Sequence, residues 1–356
     1  MMNQILPIRM VITVIIILVS ISCFAQPRQK KILLALSKSE HVMAFIDPHS
    51  LKILARVPVG PDPHEVATSS DGRVAYVSNM GGGLHEMNVV DVVAQKALPS
   101  IDTKYFIGLH GLTYVGGKLW FTAEGSKAIG SIDASGQVVW AMGTGQDRTH
   151  MIYVTPDASR IYTTNVNAGT VSILVDTLQT MGPPPGMRGG QKSPSGSLPP
   201  GPPMGPRKSW IHTVIPVEKG SEGFDVTPDG KQLWTASSNG TISIIDPLAK
   251  KLITKFDAKV EGANRLKFTP DGKLVIISSL HTGDLFFFDV ASQKEIKKIN
   301  IGRGGAGVLI DTDGTRAFIG CSPDDYVAVV DIKKMELVNK ISLGTPDGLA
   351  WAIVKE

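Results

Sequence analysis

The feature that most constrains this chain is a recurring apolar strand that ends in an aspartate. It appears as Ala44-Phe45-Ile46-Asp47 and returns at Asp91, Asp133, Asp176, Asp246, Asp289 and Asp331. The steps between these aspartates are 44, 42, 43, 70, 43 and 42 residues. A period of about 43 residues that carries strands and tight turns without helices is that of a four-stranded propeller blade. Asp225 to Asp246, DVTPDGKQLWTASSNGTISIID, shows the unit most plainly. KQLWTAS alternates apolar and polar residues, as a half-buried strand does. Asn239-Gly240 is a strong hairpin signal, since both central positions of a type I′ turn take positive φ.

The one long step exceeds the others by about 27 residues, and a Pro/Gly-rich run from Met181 to Lys208 accounts for it. That run has little to bury and many residues that resist helix and strand, so residues 181–208 are expected to form a disordered insert. Met181, Met187 and Met204 are soft copper ligands in principle. With no His or Cys beside them, a flexible loop is the preferred reading.

A turn follows the first strand of each unit, at Asp71-Gly72, Gly116-Gly117, Asp157-Ala158, Asp229-Gly230, Asp271-Gly272 and Asp313-Gly314. That is one turn fewer than the closing aspartates, so one unit is split. The chain ends in GTPDGLAWAIVKE, which matches a first strand alone, and begins after residue 30 with segments that match strands two to four. Joining the ends completes a seventh blade and removes the open edge of a linear sheet. The expected fold is therefore all-β: a seven-bladed β-propeller of four-stranded blades, its ring closed by pairing N-terminal strands with the C-terminal strand. A linear solenoid is the alternative, but it has no need of complementary half-repeats at its ends.

RVAYVSN (Arg73 to Asn79) after Asp71-Gly72, followed by VVD, resembles the YVTN-type β-propeller repeat. HGLTYVGGKLWFTAEGSKAIGSID (His110 to Asp133) resembles the repeats of the virginiamycin B lyase propellers. The likeness covers roughly residues 31–356 apart from the insert. It implies the propeller fold and leaves function open, because propellers host binding modules, lyases, lactonases and oxidoreductases. The lyase family implies a His and a Glu near a bound magnesium at the channel mouth, and His110 sits in the best-matching unit. Lactonase propellers imply acidic and Asn metal ligands. Glu222, Asn264 and Asp347 are of those types, whereas three His residues depart from that pattern.

The N-terminus reads as a targeting segment. Arg9 precedes the apolar run Val11 to Val19, and Cys23-Phe24-Ala25 offers a small residue before a cleavage point at Gln26. The run is too short to span a bilayer comfortably. Residues 1–25 are thus expected to be a secretory signal peptide, residues 26–356 the propeller, and the location periplasmic or secreted. A lipoprotein reading would lipidate Cys23, but Leu is absent three residues ahead of it. Cleavage after Ala25 leaves Cys321 as the mature chain's one cysteine, so no internal disulfide is expected. Cys321 is expected to be a small buried residue rather than a nucleophile.

When the units are aligned on their turns, the innermost strands begin at His64, His110, His150, Glu222, Asn264, Ala306 and Asp347. These positions surround one end of a propeller channel. Three His and one Glu in four consecutive blades exceed what core packing asks for, and these are ligand types of zinc, iron and manganese. One divalent metal held by His64, His110, His150 and Glu222 is the candidate site. Glu65, Asn264, Arg265 and Asp347 are the candidate ligand-binding residues. The position after each ring residue is often glycine, which would let backbone or ligand approach closely. A further ring at the start of the next strand holds Asn79, Glu124, Asn165, Ser237, Ser279 and Cys321, and is expected to satisfy backbone groups at strand ends.

A formal charge of +4 with no basic stripe interleaved with aromatics argues against nucleic acid. There is no nucleophile elbow, no CxxCH haem attachment and no phosphate loop, which argues against covalent haem and nucleotide hydrolysis. The leading expectation is a binding module that takes a small-molecule or protein ligand at the channel mouth. The alternative is a metal-dependent lyase or lactone hydrolase using the His/Glu ring. A monomer without a membrane span is expected, and no catalytic residue is assigned.

Overall fold

The computed structural model describes residues 29–81, 83–179 and 207–355. The targeting segment and almost all of the insert lie outside the described residues. Seven four-stranded antiparallel sheets form the domain. The inner strands are Pro63–Thr68, Leu109–Val115, Thr149–Val154, Ser221–Val226, Ala263–Phe268, Gly305–Ile310 and Pro346–Lys355. We number the blades one to seven in that order. Consecutive inner strands pack against one another around the ring, as a propeller requires. Among the described residues, one 3-10 turn at Ser322–Asp324 is the sole helical element, and no helix is long and apolar enough to cross a membrane.

Blade seven is split between the chain ends. Its inner strand Pro346–Lys355 pairs with Gln29–Ser37 in a register that sets Leu33 opposite Trp351 and Ala35 opposite Leu349. The second strand of every blade is largely buried, because its two faces contact the two neighbouring blades. Leu233 to Ser237 and Val275 to Ser279 are examples. Outer strands alternate instead: in Val138–Gly143 the odd positions Val139 and Ala141 face solvent. This two-faced burial of the middle strands explains how a chain with few aromatics fills its core.

Two local expectations need correction. Asn239-Gly240 is not a type I′ turn: only Gly240 takes positive φ (93°), and Asn239 already pairs with Glu261 in the third strand of blade four. The ladder to the long outer strand wins over the local turn preference. The insert also ends two residues early. Arg207 and Lys208 continue the outer strand of blade three, opposite Gln179 and Leu178. Cys321 is fully buried with its Sγ 3.4 Å from the Ile301 carbonyl, and burial pushes its thiol up to about 11.

Candidate metal centre at the channel mouth

Every inner strand begins at the same end of the channel, so the first side chains form a ring. His64, His150, Glu222, Asn264, Ala306 and Asp347 line a cavity of about 340 Å3 there. His110 is fully buried beside it, its ring centroid 4.5 Å from that of His64 and 3.7 Å from that of His150.

The neighbouring blade fixes the backbone of each ring residue. Hydroxyls on the second strand of one blade donate to the ring carbonyl of the next: Ser78 to His110 at 2.8 Å, Thr122 to His150, and Thr164 to Glu222 at 3.0 Å. The glycines after the ring residues serve this same approach rather than a ligand. A Cβ on Gly111 would sit 2.6 Å from the His150 carbonyl, and one on Gly223 would sit 2.6 Å from that of Asn264.

The hydrogen bonding of the imidazoles is incomplete. Both ring nitrogens of His110, Nε2 of His150 and Nδ1 of His64 are buried without a partner. An unpaired buried polar atom costs about 1–3 kcal/mol, so four in one cluster call for an occupant. His150 Nδ1 meets the carboxyl of Glu124. One donor atom each from His110, Glu124 and His150 lie within 4.8 Å of one another. Zinc–nitrogen bonds of about 2.1 Å would need donors about 3.4 Å apart, which small side-chain rotations supply. Two imidazoles and a carboxylate form a donor set for zinc with one position left open, so the residues fit a divalent ion.

This set differs from the expected one. Glu222 stands outside the imidazole group and is held by other partners: its Oε1 lies 2.9 Å from Arg148 Nη2, and its Oε2 accepts from Asn264 Nδ2 at 2.6 Å. The nearest carboxylates to His64 Nδ1 are Asp347 and Asp62, at 3.6 and 3.9 Å. Glu65 and Arg265, expected to meet a ligand, meet each other: Arg265 Nη2 donates to Glu65 Oε1 at 2.6 Å, from blade five to blade one. That ion pair links blade five to blade one across the ring. Asn264, Arg265 and Asp347 all line the cavity, and Asp347 is held by Lys38 at 2.7 Å.

Sequence reasoning missed Glu124, Arg148, Lys38 and Asp62. Glu124 belongs to the ring of strand-end polar residues, where it is the one carboxylate among amides, hydroxyls and a thiol. That departure was the available signal. Two of its equivalents behave as expected, Ser237 and Ser279 donating to the carbonyls of Lys219 and Glu261, whereas Asn79 and Asn165 bond to side chains. Arg148 and Lys38 come from loops beside the inner strands and carry no repeat signal. In formal charges, the mouth sets five carboxyl groups (Asp62, Glu65, Glu124, Glu222, Asp347) against three cations (Lys38, Arg148, Arg265).

Burial holds His110 and His150 well below their ordinary range, His110 further through the charge of His150, and His150 through Arg265 and Arg148. Burial pushes Glu124 up to about 7 against the pull of Arg148. These shifts set the acid response of the metal-free protein. Below the unfolded value of 6.5, unfolding takes up a proton at each of the two imidazoles. Between its unfolded value of 4.5 and about 7, unfolding releases the proton of Glu124. Burial also holds His212 below its ordinary value and adds to the uptake, so net uptake is at least one proton and stability should fall by at least about 1.4 kcal/mol per pH unit as pH drops below about 6.5. Above that, as pH rises through about 7, Glu124 alone lowers it. Urea melts of chelator-treated protein from about pH 5 to about pH 8 check this; a profile flat across that range would contradict it.

The cross-channel pair yields a second expectation. Arg265 is 6% exposed, so Glu65→Ala strands a buried charge and should cost about 3 kcal/mol. Glu65→Leu combined with Arg265→Met should cost clearly less, because neither charge remains. Equal losses for the single and double variants in urea unfolding would show that the pair does not act as a unit.

No family model matches the sequence, and no curated protein matches it. Solved structures do. A putative 6-phosphogluconolactonase from Bacteroides uniformis aligns at 13% identity over 90% of this chain and 99% of its own, with a TM-score of 0.69. Hydrazine synthase of Kuenenia stuttgartiensis aligns at 16% identity over 81% of this chain and 89% of its own, with a TM-score of 0.61. A dihydro-heme d1 dehydrogenase aligns at 15% identity over 92% of this chain and 77% of its own, with a TM-score of 0.58. At such identities the likeness shows the fold alone.

Proposed function

We propose that the protein is an exported propeller of the YVTN type whose channel mouth holds one divalent metal ion and binds a small oxygen-bearing ligand there. His110, His150 and Glu124 are the proposed ligands, with His64 beside the open position. The observation that carries this reading is the set of buried, unpaired imidazole nitrogens grouped around a carboxylate whose own proton is held up to about 7. Export rests on Arg9, the apolar run Val11 to Val19 and the Cys23-Phe24-Ala25 site. The YVTN assignment rests on the Arg73–Asn79 repeat sequence.

Calorimetric titration of the metal-free protein with zinc at neutral pH tests the metal. One site per chain is expected, and the heat should vanish in Glu124→Ala. Heat retained in that variant would remove Glu124 from the site. N-terminal sequencing of the exported protein tests the leader, with Gln26 expected as the first residue and a lipidated Cys23 contradicting it.

A second reading is a metal-dependent lyase or lactone hydrolase. Glu222, outside the ligand group yet on the cavity wall, favours it as a proton acceptor beside a carbonyl polarised by the ion. The putative lactonases that share the fold suit this reading.

A further inference from the structure

The mouth is chemically two-sided. Blades one to three supply the imidazoles, and blades four, five and seven supply Glu222, Asn264 and Asp347. Blade six alone supplies an apolar ring residue, Ala306. In a ring of seven, blade six stands opposite the gap between blades two and three, which is where His110, Glu124 and His150 gather. Leu280, on the turn between the second and third strands of blade five, lines the same cavity beside Ala306 and is 44% exposed. An exposed leucine is ordinary on a surface. Together with Ala306, and alongside Ser322 and Thr345, Leu280 gives the cavity an apolar strip across from its imidazoles.

We propose that the site binds amphipathic monocarboxylates: the carboxylate lies on the metal side beside Arg148, and the aliphatic chain crosses the cavity to Ala306 and Leu280. This rests on the metal-centre reading above. Arg148 lines the cavity and reaches both Glu124 (3.5 Å) and Glu222 (2.9 Å), so a cationic fork stands beside the proposed ion and suits the second carboxylate oxygen. About 340 Å3 is at the small end of ligand pockets, which suits a short chain rather than a long one.

The test is calorimetric titration of zinc-loaded protein with acetate, butyrate, hexanoate and octanoate, zinc content being measured on each sample. Affinity should rise by about two- to fourfold per added methylene while chain still reaches the apolar strip. Ala306→Asn places in blade six the residue type that blade five carries at the same ring position. It should cut the octanoate-over-acetate advantage by about tenfold, with zinc content read on the same sample. Leu280→Asn, on a surface turn, should cut it in the same direction and serves if the ring substitution disturbs folding. Full zinc content with equal affinity for all four acids would overturn this inference and leave the metal centre standing. Absence of bound zinc would overturn both.

Discussion

A chain ending at Leu343 is expected to lose its cooperative unfolding transition. The deletion takes away Pro346–Lys355, the inner strand of blade seven. With it go the ladder to Gln29–Ser37 and the packing of Ala350, Ala352 and Val354 into a core shared with Ile32, Leu34 and Phe45. Trp351 also goes, whose ring packs on Phe318 of blade six with centroids 5.4 Å apart and whose Nε1 donates to the Ile310 carbonyl. The loss opens the ring at its chain-end joint and exposes the edge of Gln29–Ser37. Burial lost from several apolar side chains costs many kcal/mol, against a total stability of about 5–15 kcal/mol for an ordinary domain. A synthetic peptide of residues 344–356 should restore the transition in trans, since an inner strand is an edge that extended peptide can complete. Wild-type-like urea unfolding of the truncated chain without peptide would contradict the closure.

Replacing His110 by leucine is expected to move stability in opposite directions with and without metal. In the metal-free protein, His110 buries two unpaired nitrogens, so an apolar side chain of similar volume should gain about 1–3 kcal/mol. With zinc at about a thousand times its dissociation constant, the wild type should gain about 4 kcal/mol, and the variant none. The two stability curves therefore cross as zinc is added. A purely structural His110 would give a destabilised variant at every zinc concentration. The crossing is the signature of a residue kept for binding at the expense of folding.

The fold was legible because its markers repeat. One closing aspartate is weak, but seven at near-constant spacing fix the period, and complementary half-units at the chain ends fix the closure. The ring positions were legible for the same reason: a repeat makes His64, His110 and His150 equivalent without a structure. What a repeat does not show is which positions meet across the channel. Glu65 and Arg265 stand four blades apart in the chain order and pair only because the ring brings blade five opposite blade one. Glu222 stood in line with the imidazoles by alignment, yet Arg148 and Asn264 hold its carboxylate. Glu124 was hidden by its company, since the residues at its ring position in other blades are small polar groups satisfied within the fold. Only the three-dimensional approach of His150 separates it from them.

The most direct test of the metal centre is elemental analysis of the purified protein after equilibration with zinc and removal of the excess at about pH 8, where free imidazole is neutral. It should be run on the wild type and on a variant carrying His110→Ala, His150→Ala and Glu124→Gln, with circular dichroism confirming that both are folded. One zinc per wild-type chain and none in the folded variant is the result predicted here. Negligible zinc in both proteins, or equal zinc in both, would contradict the metal centre.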